Sequence, residues 1–161
     1  MIFVTIGTQE PFDRLIKAID ELAPSLNMDI VAQVSNTAIE VKNMKALTFI
    51  PPGEFDNYFQ QASLIISHAG MGSIITALTM NKPIIVMPRL ASLGEHRNEH
   101  QTATARKFEK LNYVHVVYNE SELKSKVIDI VNNGLQPLHQ INQFAESELV
   151  TSLRNFINGN P

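Results

Sequence analysis

Short apolar runs alternate along the chain with segments whose apolar residues recur every three or four positions. Runs that are apolar almost throughout are typical of strands buried on both faces, and they lie at residues 1–7, 28–34, 46–50, 63–69, 83–88 and 113–118. Helical spacing is found between and after them, at residues 12–22, 53–62, 72–81, 98–112, 121–133 and about 138–158.

This alternation predicts an α/β fold, a Rossmann-like three-layer sandwich with a parallel sheet of about six strands and helices on both faces. We expect a single domain over residues 1–161, because a chain of that length fits one ordinary core. Ligands of such sheets bind beyond the carboxyl ends of the strands. Functional residues are therefore expected in the loops that follow residues 6, 50, 67, 88 and 118.

Composition and charge remove several classes of partner. The net charge is −3 and the basic residues are scattered, which argues against nucleic acid, whose phosphate backbone needs a concentrated basic surface. The chain contains no cysteine, so it can form neither a disulfide nor a thiolate metal site. Because no apolar run approaches the roughly 20 residues of a membrane span, we expect a cytoplasmic protein.

The loop after the fourth run, "SHAGMGS", has the pattern of a diphosphate site. Gly70 and Gly72 permit close approach of a ligand, and Ser73 lies where the first N–H groups of a helix lack internal partners. His68 ends the strand and would donate a hydrogen bond to phosphate while neutral. The alternative is that His68 is an interior histidine and that the glycines only pack the helix on the sheet. The pattern differs from the GxGxxG dinucleotide fingerprint, which follows the first strand.

Two other loops carry weaker signals of the same kind. Gly7 and Thr8 precede the first helix, where an anion would be favoured, although a plain capped turn is as good an explanation. In "FIPPGEF" the two prolines and Gly53 make a rigid loop whose main chain could recognise a nucleobase edge, and a rigid surface turn is the alternative.

The long loop at residues 88–101 is dense in polar side chains. Long loops in compact domains are often functional. Carboxylates, amides and histidines suit hydrogen bonding to sugar hydroxyls. Two alternatives stay open: a solvated loop, or a metal site formed by His96 and His100, for which the sequence places no third strong ligand.

Six segments carry a family resemblance: "GT", "FDRLI", "FIPPGEF", "SHAGMGSIITAL", "KPIIVMPR" and "GEHRNEHQ". Together they resemble the C-terminal, nucleotide-sugar-binding domain of GT-B glycosyltransferases, of the family 28 C-terminal type. The resemblance covers about residues 1–135. It is greatest to stand-alone subunits of two-component exopolysaccharide and capsule enzymes, and to the soluble subunit of the dolichol-pathway N-acetylglucosamine transferase.

The resemblance implies half of a GT-B fold that binds a UDP-sugar for inverting transfer, with no cofactor and no obligatory metal. It places at the diphosphate the residues Gly7, Thr8, His68, Gly70, Met71, Gly72 and Ser73. It places at the nucleoside the residues Ile50, Pro51, Pro52, Gly53 and Thr76, the last standing where many relatives carry a ribose-binding glutamate. It places at the donor sugar the residues Arg89, Glu95, His96, Asn98, Glu99, His100 and Gln101.

A complete GT-B enzyme has two such domains, so the resemblance also implies a partner. That partner would be a membrane-associated glycosyltransferase subunit that binds a lipid-linked saccharide acceptor, supplies the catalytic base and recruits this chain to the inner face of the membrane. We expect little activity from the chain alone, and self-association is an open possibility in its absence. The alternative function is a non-catalytic nucleotide-binding or activating module; a free-standing epimerase is disfavoured, since no Tyr-x-x-x-Lys pair or dinucleotide fingerprint occurs.

Overall fold

Six strands form one sheet in the computed structural model, which describes residues 1–141. The strands are β1 (Ile2–Thr5), β2 (Ile30–Gln33), β3 (Lys45–Leu47), β4 (Leu64–His68), β5 (Ile84–Met87) and β6 (His115–Val116). Five α-helices connect or follow them: α1 (Asp13–Leu22), α2 (Pro52–Gln61), α3 (Met71–Thr79), α4 (His100–Lys110) and α5 (Glu120–Asn133).

The strand order is β3-β2-β1-β4-β5-β6, and every neighbouring pair is parallel. Val4 of β1 pairs with Ala32 on one side and with Ile66 on the other. The chain therefore winds outward in both directions from β1 and β4, which makes their carboxyl ends the switch point where doubly wound sheets bind ligands. The predicted Rossmann-like fold with a six-stranded parallel sheet is confirmed.

Alternation of side chains along β1 builds the two cores of the sandwich. Ile2 and Val4 are fully buried against α1 and α5, whereas Phe3 points to the opposite face, against α2, α3 and α4. The Phe3 ring meets the rings of Phe55 and Phe59 at 5.5 and 5.7 Å between centroids, both edge to face. This aromatic cluster fixes α2, and with it the loop between β3 and α2, beside the switch point.

Several boundaries differ from the sequence prediction. β3 ends at Leu47 rather than at residue 50, because the chain leaves the sheet there and exposes Phe49 before Ile50 is buried. β6 has only two residues. Helix α4 starts at His100 rather than at residue 98, because side chains of the preceding loop bond to its main chain, as when Asn98 Oδ1 accepts from His100 N at 3.3 Å.

The predicted C-terminal helix, about residues 138–158, falls mostly outside the described residues. Its first four positions, 138–141, have no helical structure. No helix within residues 1–141 combines the length and the apolar character that crossing a bilayer requires.

Candidate functional site

A cleft of about 320 Å³ opens at the carboxyl end of the sheet and brings together three of the predicted loops. We call it the first cleft; it is lined by Thr5, Gly7, Thr8, Gln33, Phe49, Ile50, Pro52, Phe55 and Ser73. Five of these residues were predicted as diphosphate or nucleoside contacts: Gly7, Thr8, Ile50, Pro52 and Ser73. One end of the cleft is aromatic and aliphatic, and the other is formed by glycine and hydroxyl residues.

The two predicted glycines nearest to the strand ends make room for the imidazole of His68. A methyl group on Gly70 would lie 2.2 Å from Nε2 of His68, and one on Gly7 would lie 3.1 Å from its Cε1. Gly7 also has a φ of +77°, which strains any residue with a side chain. The ring of His68 is thus held between the loop after β1 and the loop after β4, at the switch point itself.

Burial keeps His68 neutral. Desolvation, and then the nearby charge of Arg89, lower the pKa of His68 from 6.5 to about 4. Its Nδ1 lies 3.3 Å from the hydroxyl of Ser67. A neutral imidazole with so low a pKa is a hydrogen-bonding group and a poor base at neutral pH.

This low pKa predicts a pH dependence of stability. Below pH 6.5 the unfolded chain protonates His68 while the folded protein does not, so we expect the free energy of unfolding to fall as pH drops from 6.5 to about 4. The loss attributable to His68 is about 3 kcal/mol at most. Urea denaturation of the wild type and of His68→Gln across this range measures it. The variant should lose that part of the slope, and equal slopes in both proteins would contradict the assignment.

Helix α3 begins at Met71 with Gly70 as its N-cap and without a side-chain cap. Its first N–H groups are therefore available to a ligand. A methyl group on Gly72 would meet no atom within 4 Å, so that position faces open space. Thr76 lies one turn further on and donates its hydroxyl to the carbonyl of Gly72 at 2.9 Å. The predicted diphosphate loop thus has open donors at its helix start.

A second cleft, of about 460 Å³, adjoins the first along the loop after β1. It is polar and is lined by Gln9, Glu10, Gly94, Glu95, His96 and Arg97. Gly7 and Thr8 line the first cleft, and the next two residues of the same loop line the second.

Arg14 of α1, which the sequence did not single out, braces the long loop through Glu95. Its guanidinium donates to both carboxylate oxygens of Glu95, at 2.7 and 2.9 Å, and also to the carbonyls of Pro88 and Tyr118. Glu95 Oε2 accepts a further bond from Leu90 N. Glu95 therefore accepts three hydrogen bonds from within the protein, and these bonds fix the loop.

Burial separates two predicted donor-sugar residues from the surface of the loop. Arg89 is 4% exposed and donates from its guanidinium to main-chain carbonyls, and Gln101 is 8% exposed and accepts from Arg89 N. Glu99 accepts from Ala91 N and from the hydroxyl of Thr102. Glu95 and His96 line the second cleft, while Asn98, Glu99 and His100 do not. The contacts of these residues to a sugar stay predictions.

Part of the first cleft is formed by residues that were not predicted from the sequence. Phe49 is 68% exposed at the apolar end of the cleft, where the predicted nucleoside contacts lie. Its place at the head of "FIPPGEF" is the available sequence signal for this residue. Thr5 and Gln33, polar residues at the ends of apolar strands, form a buried hydrogen bond of 2.7 Å at the floor. Such polar strand ends are the available sequence signal for these two residues.

Metal binding was a minor alternative for the long loop. Within residues 1–141, no group of three His, Cys, Asp or Glu side chains has a geometry that would hold a metal ion. That no metal is obligatory stays a prediction.

Nearly the whole chain matches one protein family. A model of the glycosyltransferase family 28 C-terminal domain matches residues 1–154. "UDP-N-acetylglucosamine transferase subunit ALG13" of Candida albicans is 36% identical over 108 residues, which are 66% of this chain and 35% of that protein. The protein of the same name from Debaryomyces hansenii is 26% identical over 154 residues, 89% of this chain and 71% of that protein. This chain thus spans about a third of the Candida relative.

Solved structures share the fold. The NMR solution structure of ALG13 superposes with a TM-score of 0.59 and 21% identity, over 94% of this chain and 93% of that one. The glycosyltransferase SsfS6 of Streptomyces sp. SF2575, solved with thymidine diphosphate, gives a TM-score of 0.58 and 18% identity, over 96% of this chain and 35% of that one. This chain therefore has the fold of about one third of that glycosyltransferase.

Proposed function

The chain belongs to the glycosyltransferase family 28 C-terminal domain family, and from that premise we propose that it is the UDP-sugar-binding subunit of a two-component inverting glycosyltransferase. The observation that carries the proposal is the first cleft, which joins an apolar end to the open start of α3 at the switch point of the sheet. A nucleobase suits the first feature and a diphosphate suits the second.

The two adjoining clefts suggest how a nucleotide sugar would lie. Uracil would pack against Phe49, Ile50 and Pro52, and the diphosphate would cross the loop after β1 toward Ser73. The sugar would then extend past Gly7 and Thr8 into the polar second cleft. Each part of the donor meets a surface of matching polarity.

Catalysis by this half would consist of holding the leaving group. As the bond between sugar and diphosphate breaks, negative charge develops on the diphosphate, and fixed N–H donors at the start of α3 would stabilise it. His68 would contribute a neutral hydrogen bond, since its pKa of about 4 leaves it uncharged. Such a histidine is a poor general base, which supports a base on the partner chain.

The acceptor and the partner complete the proposal. We expect a membrane-associated subunit that presents a lipid-linked saccharide in exopolysaccharide or capsule synthesis. The curated relatives are named as subunits of a UDP-N-acetylglucosamine transferase, which supports a two-chain enzyme and makes UDP-N-acetylglucosamine the first donor to test.

A reconstituted transfer assay tests the proposal. Labelled UDP-sugars are supplied to this chain together with membranes that contain the partner and its lipid-linked acceptor, and transfer is compared for the wild type and for His68→Ala. We expect transfer only with both chains present and a loss of at least tenfold in the variant. Full transfer with His68→Ala would instead favour the alternative, a non-catalytic nucleotide-binding or activating module.

Phe49 allows a separate test of the nucleoside end. Its ring is largely exposed, so we expect Phe49→Ala to leave the melting temperature almost unchanged. Because a stacking surface is lost, the affinities for UDP and for uridine should fall by the same factor, about three- to tenfold. Calorimetric titration with both ligands measures this. Unchanged affinity for both would place the base elsewhere.

A further inference from the structure

Arg89 carries a buried charge that no carboxylate within residues 1–141 balances at short range. Its side chain is 4% exposed, and none of the ion pairs within 4.0 Å among these residues includes it. Its Nε is the one buried side-chain nitrogen or oxygen of the described part of the chain that lacks a hydrogen-bond partner. An uncompensated buried charge is costly, so an arrangement of this kind needs a physical reason.

The guanidinium of Arg89 is hydrogen-bonded to the main chain of the loop after β1. One terminal nitrogen donates to the carbonyl of Ile6, at 2.9 Å, and also to the carbonyl of Glu10. These two carbonyls bracket Gly7, Thr8 and Gln9. Among the described residues, the N–H groups of Thr8 and Gln9 donate to no partner. The loop is thus ordered through its carbonyls, and through the bond of 3.4 Å from Gly7 N to Thr5 Oγ1, while the amides of Thr8 and Gln9 stay available.

The nearby carboxylates do not neutralise Arg89 directly. Glu10 and Glu95 act on it only at longer range, and burial lowers the pKa of Arg89 against their influence. Both oxygens of Glu95 are taken up by Arg14. The ring of Phe12, 5.1 Å from the guanidinium carbon, offers a partial compensation that needs no counterion. The positive charge reaches the switch point, since it is one cause of the low pKa of His68.

We propose that Arg89 is a positioning residue for the nucleoside diphosphate: it orders the loop of residues 6–10 through two carbonyls, and the bound diphosphate is the counterion of its buried charge. The inference rests on the proposed function. Arg89 would thus help to hold the leaving group through this loop and through its own charge, and it would not contact the donor sugar.

Calorimetric titration with UDP and with uridine tests the proposal on the wild type, Arg89→Met and Arg89→Lys. Arg106→Met is the matched control, since it removes the same charge from an exposed position on α4. We expect Arg89→Met to lower the affinity for UDP about tenfold or more, while the affinity for uridine changes less than about twofold. The control should bind both ligands like the wild type. An equal loss for UDP and uridine in Arg89→Met would overturn the proposal.

Arg89→Lys covers the case in which the methionine variant does not fold. Lysine keeps the charge and loses the planar fork, so the preference for UDP over uridine should survive even if the melting temperature falls. Loss of that preference in the lysine variant would overturn the charge role. If the wild type binds no UDP, the proposed function and this inference both fail. If the wild type binds UDP and Arg89→Met binds it with the same affinity, only the inference fails.

The ligand-free protein offers a second measurement. An NMR titration of the His68 ring should give a higher pKa in Arg89→Met than in the wild type, because a nearby positive charge has been removed, and Arg106→Met should leave it unchanged. The same pKa in Arg89→Met and the wild type would show that the charge does not reach the site and would contradict the proposal.

Discussion

Gly70→Ala should destabilise the protein by about 1 to 3 kcal/mol and weaken UDP binding at least tenfold. The added methyl group would lie 2.2 Å from Nε2 and 2.8 Å from Cε1 of His68, distances that atoms do not tolerate. The imidazole is largely buried between two loops, so it must turn out of its place or push the loops apart. Urea denaturation and calorimetry with UDP measure both effects.

A double-mutant cycle supplies the control for Gly70→Ala. In a His68→Ala background the clash is absent, and alanine at the N-cap of α3 should then change stability by only a few tenths of a kcal/mol. A destabilisation of equal size in both backgrounds would show that Gly70 serves the main chain and not the imidazole.

Breaking the pair between Arg14 and Glu95 should be equally severe. The two side chains are only 11% and 13% exposed, and the guanidinium also holds the carbonyls of Pro88 and Tyr118. Removing one member leaves the other charge partly buried without its partner, so we expect Arg14→Met to cost about 3 kcal/mol. The loop of residues 90–99, which follows Arg89, should loosen with it, so UDP-sugar affinity should fall while UDP affinity changes little. Chemical denaturation and calorimetry with the two ligands measure these effects.

An exposed ion pair of the same length is the matched control. Lys124 Nζ lies 2.7 Å from Glu21 Oε2, with side chains 37% and 49% exposed. Lys124→Met should leave the unfolding midpoint unchanged, because solvent screens such pairs. A midpoint shift in Lys124→Met as large as that in Arg14→Met would mean that burial does not set the strength of the Arg14 pair. If Arg14→Met lowered the affinities for UDP and for UDP-sugar by the same factor, Arg14 would not act through the loop of residues 90–99.

The fold could be predicted because each strand carries its own signal. The run from Ile2 to Thr5 is buried at every position, and such local continuity is visible without a structure. β3 and β6 show where this signal weakens: the apolar residues Phe49 and Ile50 continue the pattern after the chain has left the sheet. Apolar character therefore does not mark the end of the hydrogen-bonded ladder: Ile50 is buried beyond it, and Phe49 is apolar although it is exposed.

The loops of the candidate site could be located in the same way, but their internal contacts could not. Arg14 and Glu95 are 81 positions apart, and Arg89 reaches Ile6 across 83 positions, so no local pattern pairs them. The glycines illustrate the same limit. Their spacing predicts close approach of a ligand, and the structure shows that Gly70 first of all accommodates the ring of His68. Spacing predicts that room is needed but not which group fills it.

Mapping UDP onto the ¹⁵N-labelled protein by NMR tests the central claim most directly. As UDP is added, the amide signals of Gly7, Thr8, Gly70, Gly72 and Ser73 should move together along one saturable curve, while amides at the opposite end of the sheet, such as that of Asp29, stay in place. Uridine should move the signals near Ile50 and leave those at the start of α3 almost unchanged. No movement at millimolar UDP, or movement only around Asp29, would contradict a nucleoside diphosphate site at the switch point.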